Sequence, residues 1–111
     1  MLPKSKRLST KTFVSIMGNG LSSHSPFFVI RIVPTKETSR FSVSVPKKVA
    51  KTAVMRNKIR RQAYSALKKI ESTIKDGFNG VIIAKIGVEK LTFEEMMSEV
   101  NKIFVKSGIL K

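Results

Sequence analysis

The chain has 111 residues, no cysteine, and 22 Lys and Arg against 7 Asp and Glu, for a formal net charge of +15. This length predicts a single domain over 1–111, with 41% hydrophobic residues for one modest core, and the lack of cysteine excludes disulfides and thiolate metal sites. No apolar stretch approaches the ~20 residues of a membrane span, and the N-terminus is too polar for a secretory signal. We therefore expect a cytoplasmic protein that does not engage a membrane.

The positive charge is concentrated in the first part of the chain. Residues 1–70 contain 16 basic residues and one acid, Glu37, whereas residues 71–111 contain six of each sign. An ordinary solvated surface mixes its charges, but a field of one sign favours a polyanion such as a phosphate backbone. The charge pattern therefore predicts a nucleic-acid-binding domain.

The N-terminal part is predicted to be a basic arm followed by a short helix. The arm is predicted over residues 1–8. The helix is predicted over residues 10–17 and is expected to end at Gly18-Asn19-Gly20. Three apolar side chains at helical spacing give this helix one apolar face: Phe13, Ile16 and Met17. Residues 21–26 are predicted to be a polar turn.

Two strands are predicted next, paired as a hairpin. Residues 27–33 are rich in β-branched and aromatic side chains, and residues 40–45 alternate strictly, with 34–39 as the loop between them. Phe41, Val43 and Val45 are expected to face the core. The opposite face, with Arg40, Ser42 and Ser44, is small, polar and basic, which favours a face left open to a ligand.

A long helix, a buried strand and a last helix complete the chain. The helix is predicted from Thr52 to Lys75, and residues 80–86, apolar almost throughout, are predicted to be a buried strand. A strand–helix–strand unit of this kind permits parallel pairing of its two strands. Thr92 and Glu95 form a capping box that opens a helix over 93–106. The expected apolar stripe of the long helix is Met55, Ile59, Ala63, Ala66 or Leu67, and Ile70; that of the last helix is Phe93, Met96 or Met97, Val100, Ile103 and Phe104. The predicted order is α-β-β-α-β-α, with room for one additional short strand.

Catalytic groups are scarce. His24 lies in a Ser-rich turn and Asp76 precedes Gly77 at a helix end, and neither has sequence neighbours that would complete a triad or a metal cluster. Glu94 and Glu95 fall in the first turn of a helix, where carboxylates stabilise the helix dipole. The sequence therefore assigns no catalytic residue and no metal ligand to the chain.

The segment from Lys47 to Lys69 carries nine basic residues and no acid. Arg56, Arg60, Tyr64 and Lys68 lie four apart, so they share one flank of the helix, with Asn57 and Arg61 behind them. Like charges at this spacing destabilise an isolated helix, whereas a bound polyanion would neutralise them. The planar fork of arginine is suited to bonding phosphate at two points.

This segment resembles the signature of the bacterial ribonuclease P protein subunit. In that family a Phe-Ser-Val-type strand leads to a Lys-Lys pair and then to a helix with an Arg-Asn-Arg-apolar-Lys-Arg core. Phe41–Val43, Lys47-Lys48 and the run from Arg56 to Arg61 match that order here. The resemblance extends over nearly the whole chain, through Leu2-Pro3-Lys4, Arg7-Leu8, Phe13, Gly77, Val81–Ala84 and Leu91–Glu95.

The resemblance implies a fold and a function. The fold is an α+β, two-layer α/β sandwich with a left-handed β-α-β crossover. The protein is implied to be a subunit of a ribonucleoprotein endonuclease in which ribonuclease P RNA is the catalyst. The holoenzyme requires Mg²⁺, held by the RNA, and removes the 5′ leader of precursor tRNA. A monomer in a 1:1 complex with the RNA is expected.

Two surfaces follow from combining the residues with the resemblance. The RNA-binding residues are predicted to be Lys47, Lys48, Lys51, Arg56, Asn57, Lys58, Arg60, Arg61, Tyr64 and Lys68. The 5′ leader is predicted to bind a cleft formed by Phe13, Met17, Arg31, Arg40 and Ser42, because single strands are commonly held by a basic groove and stacking rings. For Phe13, burial in the core is the competing interpretation.

Two other functions remain open at this point. A basic ribosomal or other structural RNA-binding protein has the same composition, and only the arginine helix signature argues against it. A stand-alone metal-dependent nuclease would need two or three converging carboxylates, which the acid-poor first 70 residues do not favour.

Overall fold

The computed structural model describes residues 21–36 and 38–110. In this part of the chain four strands form one sheet, and no helix has the length and apolar character needed to cross a membrane. The strands are β1 (Leu21–His24), β2 (Phe28–Pro34), β3 (Arg40–Ser44) and β4 (Phe78–Ala84), and the helices are α1 (Ala53–Ile70) and α2 (Phe93–Ser107). The basic arm predicted at 1–8 and the helix predicted at 10–17 lie outside the described residues.

The strand order in the sheet is β1-β2-β4-β3, so the predicted hairpin between β2 and β3 is wrong. β4 lies between them, antiparallel to β2 and parallel to β3. Val81 and Ile82 of β4 are both fully buried although they point to opposite faces of the sheet. A strand that is apolar on both faces is stable only where both are covered, which explains its central place. The two strands on either side of the long helix, β3 and β4, pair in parallel, as the predicted strand–helix–strand unit permits.

The polar turn predicted at 21–26 is also wrong in part, because Leu21–His24 forms β1, antiparallel to β2. This is the additional short strand for which the predicted order left room. The turn itself is tighter and is closed by Ser25. Its backbone N–H donates to Phe28 O at 2.8 Å, and its Oγ accepts from Phe28 N at 3.1 Å.

The core lies between one face of the sheet and the two helices. Phe28, Ile30, Phe41, Val43 and Ile82 are buried on that face, which confirms the inward direction predicted for Phe41 and Val43. The ring of Phe41 meets the ring of Phe104 on α2 edge to face, with centroids 5.1 Å apart. Val45, just after β3, is buried as predicted.

Helix α1 begins where the sequence predicts and ends earlier. Thr52 caps it, with Oγ1 accepting from Met55 N at 3.2 Å. The helix stops at Ile70 rather than Lys75, and a 3₁₀ turn follows at Glu71–Thr73. Thr73 Oγ1 donates to Ile70 O at 2.6 Å, and Ile74 beyond it is buried and pairs with Leu110. Burying Ile74 at that point takes the chain off the helical path.

The predicted apolar stripes are buried in the middle of each helix, but some residues predicted at their ends are only partly buried. Ile59, Ala63, Ala66 and Leu67 on α1 are buried, but Met55, in the first turn, is 37% exposed. On α2, Met96, Val100, Ile103 and Phe104 are buried, whereas Phe93 and Met97 are half-buried. The predicted capping box is present, and Gly108 ends the helix with φ of 77°. The molecule therefore has the predicted small α+β fold.

Candidate nucleic-acid interface

Three lysines project from the turn that joins β3 to α1. Within this lysine turn (residues 46–51), Val49 and Ala50 are buried, while Lys47, Lys48 and Lys51 are exposed. The N–H groups of Val49 and Ala50 both donate to Pro46 O, at 3.0 and 3.3 Å. The two apolar side chains thus anchor a turn whose charged side chains all reach solvent.

The exposed face of α1 continues this charge. Lys47, Lys48, Lys51, Asn57, Lys58, Arg61 and Lys68 of the predicted set are exposed, and Arg60 is half-buried. Arg60 donates to Asn57 Oδ1, so the two side chains form one unit. Because Arg60 occupies that oxygen, Asn57 presents its N–H donors to a ligand, which suits an acceptor such as phosphate.

Arg56 lies apart from these residues. It is half-buried, and its Nη1 donates to two backbone oxygens of the lysine turn, Ala50 O at 2.9 Å and Lys51 O at 3.0 Å. The sequence predicts a direct RNA contact for Arg56, whereas in the structure this nitrogen bonds the backbone of the lysine turn.

Tyr64 does not belong to the charged surface. Its side chain is 5% exposed, and its hydroxyl accepts from Val43 N at 3.0 Å. The prediction that Tyr64 contacts RNA is therefore corrected: the ring packs in the core, between α1 and β3. On the helix it lies only about 60° from the buried Leu67, and a long aromatic side chain at that angle reaches inward.

Sequence reasoning missed Val54. This side chain is 80% exposed in the first turn of α1 and lines a shallow depression with Asn57, Arg60 and Arg61. The available signal was its helical position, because at 100° per residue Val54 lies close to Arg61 and far from Ile59. An apolar side chain among these donors offers contact to a sugar or a base edge.

The second face of the sheet brings together the described members of the predicted cleft. Arg31 on β2 and Ser42 on β3 flank the same β4 residue, Val81, and Arg40 lies one step further along, opposite Asn79. All three side chains are half-buried. Phe13 and Met17, the other predicted members, lie outside the described residues.

The same face continues to a depression at the far end of the strands. His24, Val29, Lys48, Ile83 and Lys85 are among its lining residues. Lys48 is also part of the lysine turn, so the two basic surfaces meet there. Lys85 is not among the predicted binding residues, because it lies within residues 80–86, which are predicted to be a buried strand.

The electrostatics of this side of the molecule favour an anion. No acidic residue occurs from residue 38 to residue 70, and the first turn of α1 carries none. The partial positive charge of the helix N-terminus adds to the lysines and arginines around it. By contrast, α2 carries Glu94, Glu95 and Glu99, and Glu99 pairs with Lys102 at 3.3 Å.

Within residues 21–36 and 38–110, the His, Asp and Glu side chains form no group of three that could hold a metal ion.

Comparison with known proteins identifies similar sequences. A family model described as Ribonuclease P matches residues 2–108. The ribonuclease P protein component of Rippkaea orientalis is 30% identical over 116 residues, which cover 98% of this chain and 91% of the relative. That of Microcystis aeruginosa is 28% identical over 117 residues, covering 98% of this chain and 96% of the relative.

Solved structures have the same fold. The RNase P protein from Staphylococcus aureus superposes with a TM-score of 0.80 at 25% identity, covering 100% of this chain and 96% of that one. The RNase P protein from Thermotoga maritima has a TM-score of 0.79 at 22% identity, with 88% and 94% covered.

Proposed function

The chain belongs to the ribonuclease P protein family, and we propose that it binds both the catalytic RNA and the 5′ leader of precursor tRNA. A ribonuclease P protein component is part of an RNA–protein endoribonuclease that acts in tRNA processing. In our proposal the RNA performs the hydrolysis, and one copy of the protein binds one RNA. The protein then contributes binding energy and orientation rather than a reacting group.

The acid-free surface formed by the lysine turn and α1 is the observation that carries this proposal. Its exposed charges come from one turn and one helix that the core holds in place, since Val49, Ala50, Ile59 and Ala63 are all buried. A rigid basic surface loses little conformational entropy when it docks on a phosphate backbone. We therefore assign the contact with the catalytic RNA to Lys47, Lys48, Lys51, Asn57, Lys58, Arg60, Arg61 and Lys68.

The second face of the sheet supports leader binding. Arg31, Arg40 and Ser42 lie on one face of the sheet and are half-buried, so part of each side chain is open to a ligand. A single strand held there would bring its phosphates to the arginines while its bases face the sheet. Phe13 and Met17 remain in the proposal as predicted members of this cleft.

In this proposal the metal ions are bound by the RNA. The Mg²⁺ that the holoenzyme requires would be bound by RNA phosphates, and the described residues offer no group of carboxylates and histidines to hold it. No step is assigned to a protein-bound metal.

One assay tests the proposal against its competitors. Precursor tRNA is incubated with the purified protein, with and without a bacterial ribonuclease P RNA, at a Mg²⁺ concentration where the RNA alone is slow. Cleavage at the mature 5′ end that needs the RNA and is accelerated by the protein supports the proposal. Cleavage by the protein alone would support the metal-dependent nuclease, and no acceleration would support a structural RNA-binding protein. The relatives reported above are ribonuclease P proteins, and none is ribosomal.

A comparison of substrates tests the leader cleft separately. Arg31→Gln and Arg40→Gln should weaken binding of precursor tRNA with a leader of several nucleotides more than binding of mature tRNA. Arg61→Gln serves as the matched control, because its charge lies on α1 and its loss should weaken both substrates alike. If Arg31→Gln and Arg40→Gln lose equal affinity for both substrates, the leader does not bind that face of the sheet.

A further inference from the structure

We propose that Arg56 is a positioning residue that holds the lysine turn in its RNA-binding conformation, rather than a residue that contacts RNA. The inference rests on the proposed function in one respect, because RNA is taken as the target of Lys47, Lys48 and Lys51. The position of Arg56 in the run of basic residues suggests the opposite, and the structure separates it from its neighbours.

The contacts of Arg56 join two elements. Its backbone belongs to α1, with its N–H donating to Thr52 O at 3.1 Å, while its Nη1 donates to Ala50 O and Lys51 O at 2.9 and 3.0 Å. One nitrogen therefore bridges two successive carbonyl oxygens of the turn. The stem of the side chain lies about 60° from Ile59 on the helix and is half-buried beside the core.

The turn needs such a support because its charges oppose its compact form. Three lysines within five residues repel one another. The turn also begins just after a strand, at Pro46. The bonds of Val49 and Ala50 to Pro46 O close the first half of the turn. Arg56 ties the second half, at Ala50 and Lys51, to the helix.

The three lysines of the turn separate positioning from contact. If Arg56 acts by holding the turn, its replacement weakens RNA binding only while Lys47, Lys48 and Lys51 are there to make their contacts. If the guanidinium of Arg56 itself bonds a phosphate, its replacement weakens binding whether or not the lysines are present. Arg56→Lys would not separate the two roles, because an ammonium also has N–H donors for two carbonyl oxygens.

The experiment measures affinity for ribonuclease P RNA in two backgrounds. In the wild-type background, Arg56→Ala and Arg56→Gln, neither of which carries a guanidinium, should weaken binding alike, by about tenfold, the factor that corresponds to one net hydrogen bond of ordinary strength. In a background with Lys47→Gln, Lys48→Gln and Lys51→Gln, the same two variants should have no further effect. Arg61→Gln, a matched charge loss on the same helix, should weaken binding by the same factor in both backgrounds.

The free protein provides a second readout that does not depend on RNA. Hydrogen exchange of the Val49 and Ala50 amides should accelerate in Arg56→Gln, while amides in the middle of α1, such as that of Ala63, keep their wild-type protection. If Arg56 only stabilised the fold as a whole, its replacement would accelerate exchange throughout the molecule.

The outcomes are distinct. If wild-type protein does not bind the RNA, the proposed function fails, and the exchange experiment still decides whether Arg56 orders the turn. If Arg56→Gln loses the same factor in both backgrounds, Arg56 contacts RNA directly and the inference is overturned. If Arg56→Gln binds as wild type does, Arg56 has no part in RNA binding and the inference is overturned as well. Unchanged exchange at Val49 and Ala50 would also overturn it.

Discussion

The hydroxyl of Tyr64 accepts a hydrogen bond from the backbone N–H of Val43 at 3.0 Å, in the core between α1 and β3. β3 is an edge strand in the sheet, so some of its amides have no partner strand on one side. Tyr64 also donates to Ser42 Oγ at 3.5 Å, so one hydroxyl joins two neighbouring residues of the edge strand. The basic helix is thereby tied to the strand that carries Ser42 and Arg40.

Removing this hydroxyl should destabilise the fold. Tyr64→Phe keeps the ring and leaves the buried amide of Val43 without its acceptor, which costs about 1–3 kcal/mol of unfolding free energy. Urea denaturation followed by circular dichroism measures the loss. The salt dependence of RNA binding should stay at the wild-type slope, because no phosphate contact is removed. A reduced slope together with unchanged stability would mean that Tyr64 contacts RNA after all.

The arginines of α1 should govern the salt dependence of RNA binding. Replacing both Arg60 and Arg61 with Ala should weaken binding and lower the slope of log K against log salt by about one unit for each lost phosphate contact. Lys102→Ala is the matched control, since Lys102 is an exposed cation on α2 that pairs with Glu99. An unchanged slope in a folded double variant would count against the assigned surface.

Asn57 should act together with Arg60. Because Arg60 donates to Asn57 Oδ1, Asn57→Ala removes a donor for RNA and also frees the guanidinium. We expect the losses of affinity from Asn57→Ala and Arg60→Ala to be non-additive in a double-mutant cycle, since residues that share a hydrogen bond couple. Filter-binding titrations of the two single variants and the double variant measure the coupling. Additive losses would mean that the two side chains act independently.

Phe13 distinguishes the leader cleft from a core position. If it stacks on a leader base, Phe13→Ala should leave unfolding nearly unchanged and cost ~1–3 kcal/mol of binding, only with substrates that carry a leader. If it is core, the variant should instead lose roughly 3 kcal/mol or more of stability. Unfolding titrations and binding to precursor and mature tRNA separate the two. Equal binding losses for both substrates would contradict the cleft and leave the prediction for the arginines intact.

Gly80 should be sensitive to the smallest substitution. A Cβ on this β4 residue would lie 2.8 Å from two atoms of the Phe41 ring, and that ring is held against Phe104. Gly80→Ala is therefore expected to destabilise the protein by about 1–3 kcal/mol through overpacking. Thermal unfolding measures this. A wild-type melting temperature would mean that the Phe41 ring can move aside.

The sequence alone was a good guide to the elements that have a strong local signal. Four predictions of this kind are confirmed: the start of α1 at about Thr52, the capping box of Thr92 and Glu95, the alternation of Phe41 and Val43, and the centres of both helical stripes. These features depend on residues a few positions apart, so the chain specifies them before it folds. The absence of acids from residue 38 to residue 70 is likewise a property of the sequence.

What the sequence could not decide depends on residues that are distant along the chain. The place of β4 between β2 and β3 follows from the burial of both its faces, which no local pattern near β2 reveals. The early end of α1 follows from the pairing of Ile74 with Leu110. Among the basic and aromatic residues of one helix flank, only tertiary contacts separate the exposed Arg61 from Arg56, which bonds the turn, and from Tyr64, which bonds the edge strand. Periodicity determines the direction in which a side chain leaves a helix, but the neighbouring elements decide whether it meets solvent or another part of the chain.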